Sequence, residues 1–420
     1  MEFVELNEKE FSAFADEHEY GSFHQNTAWG ELKSGTGWVT YLVGVKDKDK
    51  VLAASLILSK AVPVPLLKKN MFYAPRGFLI DYKDKDLLKF FLYKLKEFAK
   101  EHNAIFIKFD PYVEYQQRDI NGDIVEGGFN NKYVVDNLVD LGCKHHGFTT
   151  MMEDMQPRWI FTLDTKNKTE EDIMKGMDPK TRQILRKNER MGVKVRELNE
   201  DELNIFHSVM EDTSSRREFA NRPMSYYQKM YDAFKKKDEV MVLAAEFNHD
   251  DYIKELKEEL VTERKYISEL KANTKENTNK EKLEKKLKQS EENIKRFEKN
   301  IAEMELSKKE NGNLITLGSI LFMKTNDEIL SLVGGSYEKY MKFQSAYTTH
   351  YAGVKYAFEH NKRRYNFYGI TGNFDKNDKD YGIYEFKTGF NGFVEELVGE
   401  FSYPTSFMYY VFNLIKKVRK

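Results

Sequence analysis

One segment, YNFYGITGNFDKNDKDYGIYEFKTGF from Tyr365 to Phe390, combines a strand pattern, a glycine turn, an acidic loop and a lysine among aromatic residues. Its first residues, YNFY, alternate and are rich in aromatic side chains, which is typical of a half-buried strand. Gly369 and Gly372 then let the backbone leave the strand sharply. Because the following loop alternates aspartate and lysine, we expect it to lie over a site or in solvent.

Lys387 lies near the end of this segment, with Tyr384 and Phe386 before it and Phe390 after it. An ammonium group held against aromatic faces gains about 0.5–2 kcal/mol from cation–π attraction. A fixed positive charge of this kind can stabilise an oxyanion, so Lys387 is the leading candidate for a catalytic residue. The alternative is a surface lysine whose aliphatic stem covers core aromatics.

The composition predicts a cytoplasmic, globular protein. A chain of 420 residues is too long for one small core and predicts two domains and an accessory piece. No apolar run of about 18 residues is present, and the N-terminal sequence is acidic and amphipathic, unlike a secretory signal. The single cysteine, Cys143, excludes an internal disulfide and a cysteine-cluster metal site. We expect no metal and no cofactor.

Charge is balanced over the chain, with 67 basic and 68 acidic side chains and a net charge of −1. A polyanionic partner would therefore have to be bound by local patches. The predicted helix KTRQILRKNERMGVKVR places Arg182, Arg186 and Arg190 at intervals of four on one face. Such a stripe can bind an RNA backbone, and a solvated helix face is the alternative.

Two candidate site residues of the first half lie at breaks in predicted strands. Arg76 lies in YAPRGFLIDY, where proline and glycine interrupt the strand, and Asp110 ends the strand AIFIKFDPY before a proline. A carboxylate at a strand end is well placed to face a cleft. A turn-capping aspartate is the alternative for Asp110.

Two further groups of residues can bind phosphate. Lys33 follows Trp29 by four residues, so the two share a helix face, although a solvent-facing lysine near a buried tryptophan fits the same spacing. In NRPMSYY, the fork of Arg222 can bind phosphate in a bidentate manner, and the hydroxyl of Tyr226 can add a hydrogen bond.

The order helix, hairpin, helix, strand occurs twice and resembles the GNAT acyltransferase fold. We therefore predict an α/β (α+β) protein with two tandem GNAT-like acyltransferase domains and a ligand site in the cleft between them. Residues 1–150 form the first domain, and residues 151–247 with 312–395 form the second. Residues 248–311 are an insertion, and residues 396–420 are a C-terminal segment.

The insertion is rich in lysine and glutamate and carries an apolar seam at steps of four and three, which is typical of a coiled coil. It interrupts two predicted strands, EVMVLAAEF and ITLGSILFM. We predict an antiparallel two-helix coiled-coil arm that grows from the tip of a hairpin in the second domain. The arm serves as a structural spacer, a tRNA contact or a dimerisation element. Its seam residues in the second helix are Leu283, Leu287, Ser290, Ile294, Phe297, Ile301 and Met304.

The whole chain resembles the Fem family of tRNA-dependent aminoacyltransferases, which add amino acids to peptidoglycan precursors. The resemblance is carried by FYGITG, YEFKTGF, YAPRGFLIDY, IKFDPY, NRPMSYY and the charged insertion. It implies transfer of Gly, Ala or Ser from aminoacyl-tRNA to the stem peptide of a muramyl-pentapeptide precursor, in interpeptide-bridge synthesis. The insertion favours a lipid-linked over a nucleotide-linked precursor, since arm-bearing relatives generally use the former.

The resemblance also implies residue roles. Lys387, positioned by Phe386, stabilises the oxyanion or the leaving group. Asp110 lies in the acceptor cleft, where it orients or deprotonates the amine. The basic stripe with Arg182, Arg186 and Arg190 docks the tRNA. The candidate residues for precursor binding are Lys33, Arg76, Arg222 and Tyr226.

Two alternatives stay open. An acyl-coenzyme A-dependent N-acyltransferase could use the same fold, but the sequence has no Q/R-x-x-G-x-G/A loop of the kind that cradles the coenzyme's pyrophosphate. A non-catalytic precursor- or RNA-binding scaffold would keep the cleft without the chemistry. The basic tail VFNLIKKVRK either contacts anionic lipid at the inner face of the membrane or is a plain terminal helix. We expect a monomer or a homodimer.

Overall fold

The computed structural model describes residues 1–64, 67–150, 155–273 and 279–418, without the side chains of 415–418. Three predictions fall wholly or partly outside this range: the cations of the basic tail, the centre of the turn in the arm, and the first residues of the linker between the two halves.

Helices and strands alternate along the chain. The strands are β1 Glu2–Glu5, β2 Val39–Asp47, β3 Lys50–Val62, β4 Lys69–Ala74, β5 Ala104–Phe109, β6 Glu114–Gln117, β7 Lys144–His145, β8 Trp159–Asp164, β9 Lys194–Glu197, β10 Val240–Asn248, β11 Leu314–Lys324, β12 Glu328–Ser336, β13 Arg364–Gly369, β14 Phe393–Leu397 and β15 Phe401–Pro404. The helices are α1 Glu8–Glu17, α2 Thr27–Ser34, α3 Lys85–Glu101, α4 Lys132–Asp140, α5 Glu170–Gly176, α6 Pro179–Arg190, α7 Leu203–Arg217, α8 Met224–Lys235, α9 His249–Ala272, α10 Lys280–Asn311, α11 Ser345–Glu359, α12 Tyr381–Thr388 and α13 Met408–Val418.

The first sheet has the strand order β1-β2-β3-β4-β5-β15-β7. The predicted hairpin is present as β2 and β3, and α3 connects the parallel strands β4 and β5. Asp84 caps α3 by accepting a hydrogen bond from the backbone N–H of Leu87 at 3.0 Å. Leu88, Phe91 and Leu95 of α3 are buried at helical spacing, which packs this helix onto the sheet.

The second sheet has the order β6-β14-β8-β13-β12-β11-β10-β9. Here too a helix, α11, connects a parallel pair, β12 and β13. The residues from Tyr365 onward form β13, as predicted, but the expectation of a half-buried strand is wrong. Asn366 is buried like Tyr365 and Phe367, because it donates hydrogen bonds to Tyr112 and Glu328. Val354 and Ala357 of α11 belong to the same buried cluster as Tyr365 and Phe367. The unit of strand, helix and parallel strand therefore occurs in both halves.

The two halves exchange strands. β6 belongs to the first half of the chain but pairs with β14 at the edge of the second sheet. β15 follows the second half in sequence but pairs with β5 and β7 in the first sheet. Since hydrogen bonds of both sheets span the two halves, the halves are held in a fixed position relative to each other.

The arm consists of α9 and α10, which run antiparallel and interrupt the hairpin of β10 and β11. Exposed ion pairs join the helices, with Lys257 to Glu305 at 3.1 Å and Arg264 to Glu298 at 2.7 Å. At the base, the backbone N–H of His249 donates to the carbonyl of Asn313 at 2.9 Å. The helical arm lies where the sequence predicts it, and its supercoiling stays a prediction.

The fold class is confirmed as mixed α/β with two sheets. Local pattern decides much of it, because many strands are apolar runs bounded by turn residues. Side-chain caps begin α1, α2, α3, α5, α6, α9 and α10. No helix in the part of the chain described here is both long enough and apolar enough to cross a bilayer.

Candidate active site

Lys387 lies in the last turn of α12 and is buried, with 6% of its surface exposed. Its Nζ donates hydrogen bonds to the backbone carbonyls of Tyr368 at 3.2 Å and Gly369 at 2.7 Å. The interpretation as a surface lysine is therefore wrong. The sequence predicts that the ammonium lies against ring faces, but it is held by the carbonyl oxygens of Tyr368 and Gly369 instead.

Burial controls the charge of this amine. Removal from water penalises the ammonium form and lowers the pKa of Lys387 to about 7. The two carbonyls oppose this effect, because an ammonium donates stronger hydrogen bonds than a neutral amine. An –NH₃⁺ group has three donors, and two are used here. One N–H of Lys387 remains for a ligand.

Phe386 fixes the helix that carries Lys387. Its ring packs against Tyr347 and His350 of α11, with centroids 4.6 and 5.2 Å apart. Burial, aided by the positive charge of Lys387, lowers the pKa of His350 to about 3. A neutral imidazole at this place avoids repulsion with the ammonium, so α11 supports the lysine without competing for its charge.

Tyr368 has a left-handed backbone, with φ of 65°, which is uncommon for a residue with a side chain. The side-chain oxygen of Asn366 accepts a hydrogen bond from the backbone N–H of Tyr368 at 2.7 Å and holds this turn. The turn directs two successive carbonyls at Lys387. The sequence did not identify Asn366 or Tyr368 as site residues, although the alternating pattern of the strand ends at this turn, just before Gly369.

The phenol of Tyr368 points toward the first half of the chain. It donates to the side-chain oxygen of Gln156 and lies beside the guanidinium of Arg76. Burial raises the pKa of Tyr368 to about 12, against the opposing effect of Arg76. One residue thus touches Lys387 through its backbone and the Asp110 neighbourhood through its side chain.

Asp110 directly follows β5 and is buried. One carboxylate oxygen accepts from the backbone N–H of Arg76 at 2.7 Å, and the other accepts from the hydroxyl of Tyr73 at 3.1 Å. Burial raises the pKa of Asp110 to about 6, although Arg76 opposes this shift. The carboxyl group therefore titrates just below neutral pH.

Arg76 joins the two halves. Its guanidinium donates to the carbonyl of Pro157 in the linker at 2.8 Å and lies 5.3 Å from the ring of Tyr112. With Asp110 and Tyr368 also beside it, this side chain is enclosed by protein groups. These contacts hold the linker against the first half, and precursor binding by Arg76 stays a prediction.

A buried ionic network lies beneath Tyr368 and was also missed. Arg364 donates to Glu328 at 2.9 Å, to Glu395 at 2.5 Å and to the hydroxyl of Tyr112 at 2.7 Å. Asn366 donates to the same hydroxyl at 2.8 Å. Tyr112 comes from the first half and the others from the second, so the network connects the halves under the site.

A separate basic cluster consists of Lys33 from the first half and Arg222 and Tyr226 from the second. The Nζ of Lys33 lies 4.2 Å from the ring centroid of Trp29 and 3.4 Å from the hydroxyl of Tyr226. The guanidinium of Arg222 lies 5.3 Å from the ring of Tyr226. Burial, then the charges of Arg222 and Lys60, lower the pKa of Lys33 to about 8. An anion placed among these cations would relieve their repulsion.

The basic stripe of α6 is only partly free. The guanidinium of Arg182 donates to the carbonyls of Lys175, at 3.1 Å, and Met177, so it caps the end of α5. Arg186 and Arg190 are exposed. The stripe begins close to α12, the helix that carries Lys387, because the backbone N–H of Asp178 donates to the carbonyl of Gly389 at 3.0 Å.

Comparison with known proteins identifies this arrangement. The model of the FemAB family matches residues 6–417. The chain belongs to the FemAB family. Aminoacyltransferase FemA of Staphylococcus epidermidis is 37% identical over 424 residues, which cover 100% of each chain. Aminoacyltransferase FemA of Staphylococcus aureus is 34% identical over 421 residues, which cover 100% of this chain and 99% of the relative.

The crystal structure of FemX is similar over the whole chain. Its TM-score is 0.83 at 27% sequence identity, and the match covers 99% of this chain and 100% of that one. The family that the sequence motifs indicate is therefore confirmed. Among the residues that the structure describes, no group of three or more His, Cys, Asp or Glu side chains could hold a metal ion.

Proposed function

We propose that this FemAB protein is an aminoacyltransferase of peptidoglycan interpeptide-bridge synthesis. It takes Gly, Ala or Ser from aminoacyl-tRNA and attaches it to the stem peptide of a muramyl-pentapeptide precursor, lipid-linked in preference to nucleotide-linked. One observation carries the assignment of the site: the buried amine of Lys387 donates to the carbonyl of Tyr368, whose phenol lies beside Arg76 of the other half. The backbone N–H of Arg76 in turn donates to the carboxylate of Asp110. The relatives named aminoacyltransferase support the activity.

The reaction needs a base that takes a proton from the attacking nitrogen and an acid that gives one to the departing ribose oxygen. The acceptor amine attacks the ester carbonyl of the aminoacyl-tRNA, a C–N bond forms, and the carbonyl oxygen becomes an oxyanion. When the intermediate collapses, the C–O bond to the ribose breaks and the ribose oxygen takes a proton. The nitrogen that attacked loses one.

Lys387 suits the acid side of this scheme. Its third N–H can donate to the oxyanion, in a buried place where such a donor is worth far more than in water. A pKa of about 7 also permits transfer of that proton to the departing ribose oxygen. Asp110, with a pKa of about 6, is ionised at neutral pH and can orient the acceptor amine or receive its proton.

The basic cluster is assigned to the diphosphate of the precursor. Lys33 and Arg222 supply positive charge from the two halves, and Tyr226 supplies a hydroxyl between them. A bidentate guanidinium and a point-charge ammonium together match the oxygens of a diphosphate. The precursor would then extend from this cluster toward Asp110.

The pH dependence of turnover should be bell-shaped. At substrate concentrations well below saturation, where the free protein's pKa values govern the rate, the rate should rise through about pH 6 as Asp110 loses its proton. It should fall above about pH 7 as Lys387 loses its own. Single-turnover rates across this range measure both limbs. Asp110→Asn should remove the acidic limb and leave the basic limb in place. An acidic limb that persists in this variant would contradict the assignment of Asp110.

The exposed arginines of α6 are assigned to the tRNA backbone. Arg186→Ala combined with Arg190→Ala should weaken tRNA binding and reduce the slope of log affinity against log salt by about 2, one unit for each lost phosphate contact. Filter binding at several salt concentrations measures the slope. Lys89→Ala, on the exposed face of α3, is the control, and an equal effect there would show that only overall charge matters.

The donor is decided by one experiment. Transfer in a mixture of charged tRNA, precursor and protein should stop after ribonuclease treatment of the tRNA. A reaction that resists ribonuclease and runs with acyl-coenzyme A would replace the proposal by the N-acyltransferase alternative. A folded protein that binds precursor or tRNA but transfers nothing from any donor would be the scaffold.

A further inference from the structure

The last helix, α13, is apolar on two sides. On its inner side, Tyr409 is buried and Phe412 stacks on Phe106 of β5 at a centroid distance of 5.8 Å. These contacts attach the helix to the first sheet. An amphipathic surface helix would present polar residues on its other side.

The outer side carries a row of exposed apolar residues instead. Phe407 is 77% exposed, Tyr410 44%, Val411 40% and Leu414 67%. Tyr410, Val411 and Leu414 lie at steps of three and four residues on one face of α13, and Phe407 directly precedes the helix. Single exposed apolar side chains are common on protein surfaces, but a continuous row of four, two of them aromatic, marks a face that another apolar phase covers.

The surroundings of this row are basic. From Phe401 to Lys420 the sequence contains four cationic side chains and no carboxylate side chain. Lys144 of β7 lies with its Nζ 4.2 Å from the ring of Tyr410. Lys68 is exposed in the loop before β4. A partner that covers this face is therefore expected to be apolar where it contacts the row and anionic where it meets the surrounding lysines.

A second copy of the chain fits this description poorly. In a two-fold dimer the same patch faces itself, so the like charges beside the row, such as Lys144 of each copy, would be brought together. A bilayer with anionic headgroups meets both requirements, because its acyl boundary accepts the aromatic and aliphatic side chains and its headgroups attract lysine and arginine.

We propose that the outer face of α13 docks on the surface of an anionic lipid bilayer, with Phe407, Tyr410, Val411 and Leu414 inserted at the headgroup boundary. The helix lies in the plane of the interface and does not span it. The inference deepens the proposed function, since a lipid-linked acceptor resides at such a surface. Vesicle binding itself requires neither donor nor acceptor, so it stands or falls separately.

The test is co-sedimentation of the full chain with vesicles. Vesicles of equal parts phosphatidylcholine and phosphatidylglycerol are compared with vesicles of phosphatidylcholine alone. The wild-type protein should bind the mixed vesicles, bind the neutral ones weakly, and dissociate as salt is raised. Val411→Glu combined with Leu414→Glu should lower the partition coefficient by at least about tenfold.

A matched control carries the same charge change elsewhere. Val139→Glu combined with Ile124→Glu alters two exposed apolar residues of the first half, on α4 and in the loop before it, and should leave vesicle binding within about twofold. Circular dichroism and transfer to a soluble precursor confirm that both double variants are folded. If the wild-type protein binds the mixed vesicles but transfers no amino acid, the proposed function is overturned and this inference is supported.

Three results would overturn the docking proposal. One is equal binding of the wild type and the Val411→Glu, Leu414→Glu variant to mixed vesicles. Another is equal binding of the wild type to mixed and neutral vesicles, which would remove the role of charge. The third is a lipid-free dimer, measured by light scattering, that this variant converts to a monomer, because the occupant would then be a second copy.

Discussion

Lys387→Met should lower the single-turnover rate of aminoacyl transfer by about 100- to 1,000-fold, the loss expected for one donor to a developing oxyanion. Affinity for the precursor should change little, because the diphosphate cluster at Lys33 and Arg222 is built from other elements. Methionine fills a similar volume and removes a buried charge, which offsets the lost hydrogen bonds to the carbonyls of Tyr368 and Gly369. The free energy of unfolding should therefore stay within about 2 kcal/mol of the wild-type value. Activity would therefore fall without a loss of folding.

The matched control is Lys376→Met, which replaces an exposed lysine of the acidic loop that precedes α12. It should transfer at the wild-type rate. If Lys387→Met also transfers at that rate while both variants are folded, the amine does not act on the reaction and the assigned role fails. If precursor affinity falls and the transfer rate does not, Lys387 binds substrate without stabilising the transition state.

Arg364→Met should lower the free energy of unfolding by about 3–5 kcal/mol, the cost of leaving buried charges without their partner. Arg364 is the common donor to Glu328 at 2.9 Å and Glu395 at 2.5 Å, and both carboxylates are buried between the two halves. Urea unfolding at neutral pH measures the loss.

The neighbouring residue supplies the control. Arg363 pairs with Asp327 at 2.7 Å, but both side chains are largely exposed. Arg363→Met should therefore cost at most about 1 kcal/mol. Equal losses for the two variants would mean that burial of the network contributes nothing. If Arg364→Met also lowers transfer at temperatures where it is folded, the network positions the turn at Tyr368 as well as stabilising the chain.

The sequence could predict the parts of the site that depend on local pattern. Asp110 is recognisable because a strand ends there before a proline, and Lys387 because it closes a segment with a strong motif. Lys33 and Arg222 could each be proposed as phosphate ligands from their own neighbours. The arm is readable from its apolar seam, since the 3.5-residue period is a property of a single helix.

The remaining features are non-local, and the sequence could not predict them. The exchange of β6 and β15 between the sheets pairs strands that are distant in the chain. Tyr368 matters because its left-handed backbone aims carbonyls at an amine 19 residues later. Arg364 pairs with Glu328 and Glu395 across three strands. The change in the role of Arg182, from stripe to helix cap, likewise depends on the packing of α5 against α6.

The most direct test of the account is the mass of the acceptor after reaction. A lipid-linked pentapeptide precursor is incubated with the protein and with tRNA charged with glycine, alanine or serine. The account predicts that the precursor gains the mass of at least one residue of one of these amino acids, only with charged tRNA, and that Lys387→Met gives almost none. An unchanged precursor mass with all three tRNAs, from folded protein, would contradict it.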